Sequence, residues 1–225
     1  MNERACLLIH GFTGGPHEVR PLAIELTNMG YICNVPLLPG HGDRGNGLRN
    51  ITWQSWVEHV EREAAEMQRL YGSFDVIGFS MGGLLAAYIA NRYAVRRVVL
   101  LSAAVIYVSP VRFAHAIADL IRTGETRKLK TVKRTPIGSV WQFMRLVRAL
   151  KPEFSRIQSP TLVLQGERDE IVHPSSARFI TSKLNCYYEV QYYANSKHLI
   201  CLDADYEQVF RRVTRFLYHE FSTTE

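Results

Sequence analysis

Short apolar runs alternate with longer amphipathic stretches along this chain. Residues 5–9, 31–35, 74–79, 97–101, 161–165 and 186–192 each read as a strand. Several, such as Ala5-Cys6-Leu7-Leu8-Ile9 and Val98-Val99-Leu100-Leu101, are continuously apolar. That is the pattern of strands covered on both faces. Helical periods lie between them. Residues 18–29 set Val19, Leu22, Ala23 and Leu26 on one face and stop at Gly30. Residues 53–71 follow Thr52, a good N-cap, and align Trp53, Trp56, Val57, Val60, Ala64, Met67 and Leu70. Residues 84–90 are unbroken helix formers, Pro174 opens a further helix to about residue 184, and 205–221 turns Val209, Val213, Phe216 and Leu217 inward. Strands alternating with helices predict the α/β class: a mostly parallel sheet of about six strands with helices on both faces.

Residues 102–160 break the rhythm. Two helix-like stretches, 111–122 and 139–150, flank 122–134, which holds six Lys or Arg and one Glu. The expectation is a single domain, 1–225, with a small helical cap inserted at about 103–158. The basic stretch reads as a solvated face of that cap. A chain of 225 residues with 47% apolar content can bury a full core. No apolar run approaches the ~20 residues of a membrane span, and the apolar run after Arg4 is too short for a signal peptide, so a cytoplasmic location is expected. Cys6, Cys33, Cys186 and Cys201 are widely spaced, three of them in strand-like runs, and read as buried free thiols. The net charge of +6 is moderate and no nucleic-acid motif accompanies it.

Gly78-Phe79-Ser80-Met81-Gly82 follows the strand 74–79 and leads into a helix. Strand, tight turn and helix is the setting that lifts a serine on a strained backbone as a nucleophile. Glycine is needed on either side because strand and helix meet there without room for side chains. Met81 N–H then lies near the positive end of a helix, where an oxyanion would form. A serine needs a base. Of eight histidines, His198 alone lies in a loop after the last strand. The base needs an acid to orient it. Asp169, three residues past Gly166 at a strand end, is preferred over Glu167, Glu170 and Asp203. The order serine, aspartate, histidine matches one triad lineage. The glycine-rich loop His10-Gly11-Phe12-Thr13-Gly14-Gly15 follows the first strand, and Phe12 is placed to give a second oxyanion donor. His10 and His41 read as structural rather than proton-carrying.

With His10-Gly11-Phe12-Thr13-Gly14, Pro39-Gly40-His41-Gly42, Gly78 to Gly83, Gly166-Glu167-Arg168-Asp169-Glu170-Ile171-Val172 and Ser196-Lys197-His198-Leu199-Ile200, the chain resembles the α/β-hydrolase superfamily over nearly its whole length. It looks most like small bacterial carboxylesterases and monoacylglycerol lipases. The resemblance implies Ser80, Asp169 and His198 as a catalytic triad, the backbone N–H groups of Phe12 and Met81 as the oxyanion hole, and a small cap over an acyl pocket. Lys197 stands where relatives often carry glycine, and a cation there would disfavour an imidazolium unless it points to solvent.

The expected activity is serine carboxylic-ester hydrolysis through an acyl-enzyme on Ser80, without metal or organic cofactor. Phe12, Ile106, Phe113, Trp141, Met144 and Val172 are the expected substrate-binding residues. A small-molecule ester or acylglycerol is the expected substrate. Nucleic acid is not an expected partner. Contact with a lipid surface would be transient, without stable insertion, and the chain would be a monomer or homodimer. A thioesterase or carbon–carbon bond hydrolase would use the same triad. A non-catalytic ligand receptor is the rival of a different class. Dehalogenases and epoxide hydrolases of similar form resemble the chain less, because they place Asp at the position of Ser80.

Overall fold

The computed structural model describes residues 4–42, 47–106 and 137–218. Six strands form one sheet: β1 (Arg4–Ile9), β2 (Tyr31–Asn34), β3 (Phe74–Phe79), β4 (Val95–Leu101), β5 (Thr161–Gly166) and β6 (Tyr188–Tyr193). Their order is β2-β1-β3-β4-β5-β6 and every pairing is parallel. Among the described residues six α-helices accompany them: α1 (Arg20–Asn28), α2 (Trp53–Tyr71), α3 (Met81–Ala90), α4 (Ile137–Leu150), α5 (Ser175–Thr181) and α6 (Tyr206–Tyr218).

The strand period of two divides the core. Leu7, Ile9, Val76, Val98, Leu100 and Val163 point to one face and pack with α2, α3, α4 and α5. Cys6, Leu8, Ile77, Phe79, Val99, Leu101, Leu162 and Leu164 point to the other, against α1 and α6. Both faces are covered, which is why these strands are apolar at nearly every position. The α2 helix starts where Thr52 caps it, its hydroxyl accepting the Ser55 N–H at 3.4 Å. Because β1 pairs with both β2 and β3, the chain reverses its direction of travel across the sheet at β1. The crevice at such a reversal, at the carboxyl ends of the strands, is where ligands bind in open parallel sheets.

Several boundaries differ from the sequence expectation. The first helix begins at Arg20, because Pro16–Glu18 winds into a 3-10 turn that buries Glu18. The helix after Pro174 closes at Thr181, and β6 starts at Tyr188, leaving Cys186 outside the strand. Of the expected cap at about 103–158, the stretch 111–122, the basic stretch 122–134 and Phe113 lie outside the described residues. The second helix-like stretch of that block is α4, starting two residues early. It packs against α2 and α3, and its Phe143, Leu146, Val147 and Leu150 join the main core.

Candidate active site

The β3 strand delivers Ser80 to the crevice. Ser80 has φ 54° and ψ −115°, a left-handed strain for a residue with a side chain. The glycines around it explain how the turn is held. A Cβ at Gly78 would fall 2.2 Å from the Gly82 carbonyl oxygen, and one at Gly82 would fall 2.2 Å from that of Ile9. Backbone bonds then lock the turn. Ser80 N–H donates to Leu101 O at 2.9 Å, and Ser80 O accepts from Gly83 N–H at 3.0 Å and Ala104 N–H at 3.1 Å. The last of these depends on Ser102, which turns the chain at the end of β4 with φ 45°. Met81 is the first residue of α3, and N–H groups of a first helical turn have no intrahelical acceptor.

The loop after β6 brings His198 onto Ser80, with Nε2 3.0 Å from Oγ. Its Nδ1–H donates to Asp169 Oδ2 at 2.8 Å. That bond leaves Nε2 as the acceptor for the serine hydroxyl. Asp169 is 5% exposed and is pinned by its own turn: Oδ1 accepts the N–H groups of Ile171 at 2.9 Å and Val172 at 2.8 Å. Gln165, at the end of β5, donates to Oδ2 at 3.1 Å. The other acids near this turn point elsewhere. Glu167 and Glu170 are exposed, and Asp203 accepts the N–H groups of Lys197 and Ala204. Lys197 itself is exposed. Among the described residues no group of three His, Cys, Asp or Glu side chains is placed to hold a metal ion.

Phe12 lies in the loop after β1. Its ring stacks on Phe143 with centroids 4.7 Å apart and meets Trp56 edge-on at 5.6 Å. Two histidines fix the loop. His10 donates from Nδ1 to Gly11 O at 2.8 Å and accepts the Leu38 N–H on Nε2 at 3.1 Å. Burial, with His41 nearby, lowers its pKa to about 3, so the ring stays neutral. His41 donates to Phe12 O at 2.6 Å, and burial lowers its pKa too.

The expected substrate residues are spread more widely. Val172 is buried beside Asp169, and Ile106 is half-buried, bonded through its backbone to Ser176 and His173. Trp141 is 62% exposed and Met144 is 38% exposed. Trp141 lines a surface hollow of about 550 Å³ with Trp53, Arg145, Arg148 and Ala149. The apolar residues of α4 thus divide between two sides. The helix is apolar on several sides, and the stripe at spacing 3.6 that turns inward is Phe143, Leu146, Val147 and Leu150. Phe143 therefore reaches Phe12, and Trp141 and Met144 face out. Gln165 was also missed, because within an apolar strand it carries no signal of its own.

A family model described as the alpha/beta hydrolase family matches residues 6–212. The chain belongs to the alpha/beta hydrolase family. Within it, the chain is 30% identical over 222 residues to the thermostable monoacylglycerol lipase of Bacillus sp. (strain H-257), covering 93% of this chain and 88% of that one. It is 25% identical to the carboxylesterase of Bacillus subtilis (strain 168), covering 96% and 92%. Among solved structures, it matches a chain from work on LipS and LipT, two metagenome-derived lipolytic enzymes. The TM-score is 0.82 at 21% identity, with 96% and 94% covered. The Paleococcus ferrophilus monoacylglycerol lipase matches with TM-score 0.73 at 19% identity, with 95% and 93% covered. These structural likenesses establish the alpha/beta hydrolase fold of the chain.

Proposed function

We propose that this alpha/beta hydrolase is a serine carboxylic-ester hydrolase, a carboxylesterase or monoacylglycerol lipase, acting through an acyl-enzyme on Ser80. The observation that carries the reading is the line from Asp169 Oδ2 to His198 at 2.8 Å and from His198 to Ser80 Oγ at 3.0 Å. The names of the two Bacillus relatives point to the same reaction class. In this mechanism Ser80 Oγ attacks the ester carbonyl and His198 Nε2 takes its proton. Asp169 holds the ring in the tautomer that leaves Nε2 free and stabilises the imidazolium. The carbonyl oxygen gains its negative charge between the N–H groups of Phe12 and Met81. His198 returns the proton to the leaving alcohol. A water deprotonated by the same ring then attacks the acyl-enzyme, releasing the acid and restoring the serine.

Phe12 and Phe143, stacked beside the crevice, are the apolar surface next to the acyl group in this reading. The segment between β4 and β5 serves as the cap. Among the described residues no helix is long and apolar enough to cross a membrane, so contact with a lipid aggregate would be peripheral. A cytoplasmic site of action belongs to the same reading, supported by the four free cysteines.

The test is hydrolysis of p-nitrophenyl esters from acetate to palmitate, with a monoacylglycerol alongside, by the native protein and Ser80→Ala. The substitution is expected to lower kcat by about 10⁴-fold or more. Absence of turnover on every ester, or full activity in Ser80→Ala, overturns the reading. Thioesters and carbon–carbon substrates would then be tried.

A further inference from the structure

The loop that carries His198 is tied down by a buried pair that the mechanism above does not use. Ser196 is fully buried just before Lys197 and His198, and Asp205, also buried, stands immediately before α6. Asp205 Oδ2 accepts the Ser196 hydroxyl at 2.9 Å and the Asn195 N–H at 3.1 Å, and its Oδ1 takes the Gln208 amide at 3.4 Å. The Asp205 carbonyl accepts the Val209 N–H at 3.0 Å, so the residue that grips the loop is itself part of the first turn of the helix. The Ser196 carbonyl goes to the acid turn instead, where it accepts the Arg168 N–H at 3.0 Å, next to Asp169. Close packing accompanies this bond. A Cβ at Gly166, the last residue of β5, would fall 2.5 Å from Ser196 O and 2.4 Å from Lys197 O. Ser196 is therefore bonded to the acid turn through its backbone and to α6 through its side chain.

We propose that Ser196 and Asp205 are positioning residues of this site: together they hold the loop that sets His198 at bonding distance from Asp169 and Ser80. The proposal rests on the serine-hydrolase reading. A reacting constellation works only when its side chains are held within about 0.5 Å of the productive geometry. Asp169 is held within its own turn, by the N–H groups of Ile171 and Val172. His198 is placed differently. Both of its ring nitrogens are taken up by the groups it serves, Asp169 at 2.8 Å and Ser80 at 3.0 Å. The rest of its placement comes from the Phe79 ring, with centroids 5.0 Å apart, and from the backbone of its loop. That backbone is located by Ser196. Without the hydroxyl bond the loop keeps its tie to the acid turn and loses its tie to α6. Misplacing a reacting group by about 1 Å can cost about 10²-fold in rate. The geometry asks for an oxygen acceptor at Asp205, and its charge is secondary.

The experiment pairs ester kinetics with proton NMR on the native protein, Ser196→Ala, Asp205→Ala and Asp205→Asn. The NMR signal is the His198 Nδ1–H proton, which its bond to a buried carboxylate moves downfield and protects from exchange with water. Ser196→Ala and Asp205→Ala are each expected to lower kcat by about 10-fold or more with KM within about 2-fold of native, and to speed exchange of that proton by about 10-fold or more. Asparagine keeps an oxygen for Ser196 and still suits the start of a helix, so Asp205→Asn is expected to recover kcat to within about 3-fold of native. The two alanine substitutions combined are expected to cost no more than about 2-fold beyond the worse single one, because both break the same tie. Urea unfolding gives the folded fraction to which kcat is normalised. A tie that serves stability alone would leave kcat per folded molecule within about 2-fold of native in both alanine variants. That result overturns the proposal, and so does native exchange of the His198 proton in both. The proton signal is read whether or not esters turn over. Loss of the serine-hydrolase reading shows separately, as turnover that survives Ser80→Ala.

Discussion

His10 makes a sharp prediction about acid stability. Its ring is fully buried at the end of β1, with both nitrogens engaged: Nδ1–H on Gly11 O and Nε2 under the Leu38 N–H. Protonating Nε2 would set one N–H against another and strand a charge without water. Burial first, and then His41 at 4.9 Å, take its pKa from 6.5 to about 3. The folded value is depressed, so the stabilisation is complete above pH 6.5 and is lost as pH falls toward 3. At 1.36 kcal/mol per unit, the whole interval is worth about 5 kcal/mol, of which about 2 kcal/mol disappears between pH 7 and pH 5. The assay is urea unfolding followed by circular dichroism at both pH values, for the native protein and His10→Gln. Glutamine offers an oxygen to Leu38 N–H and does not titrate. Its lost contact with Gly11 lowers stability equally at both pH values. The native protein should lose about 2 kcal/mol more than the variant on going from pH 7 to pH 5. His41 titrates in both proteins. Equal losses would refute the argument that the His10 ring is held neutral.

Other expectations follow from the same contacts. Asp169→Asn should lower kcat by about 10⁴-fold, because an amide in place of Oδ2 favours the wrong tautomer of His198; steady-state kinetics read it. Gly82→Ala drives a Cβ to within 2.2 Å of a backbone oxygen of β1 and should destabilise the fold by about 3 kcal/mol or more, lowering Tm by about 6–12 °C in calorimetry. Phe143→Ala removes a ring that is 6% exposed and should destabilise by about 3 kcal/mol. Trp141→Ala on the outer side of the same helix should change stability by less than about 1 kcal/mol, and a denaturation series on the pair tests which face of α4 is inward.

The strands and the order of chemistry along the chain were legible because they are written locally. The glycines at 78 and 82 mark where β3 and α3 touch, and the collisions a Cβ would make show why no other residue suits. The acid is a subtler case. Four carboxylates lie close in sequence to the strand end or to His198, and the one facing the ring is selected by the N–H groups of Ile171 and Val172, which a reader of sequence cannot orient. What stayed hidden was non-local. In the sequence Glu18 is only the first residue of a helical stretch, and the fold of residues 11–15 over it shows that it is buried. The inward face of α4 was not legible because Trp141, Phe143, Met144, Leu146 and Val147 are all apolar, so periodicity alone leaves the stripe ambiguous. Gln165 donates to an acid four residues away through a turn that has no sequence signature.

The long excursion between β4 and β5 carries a consequence for how such a protein changes over time. These strands are direct neighbours, paired from Val98↔Thr161 to Leu101↔Leu164. A parallel crossover needs a dozen or more residues, and this one uses about 60. Chain-closure entropy grows only with the logarithm of length, so lengthening a crossover from about 20 to about 60 residues adds only about 1 kcal/mol. The junction therefore works as an open slot. Insertions and deletions can accumulate there while the strand register stays fixed, so long as Ser102, Ala104 and the inward stripe of α4 keep their contacts. Selection can lengthen or shorten the chain between these contacts without disturbing the turn that lifts Ser80.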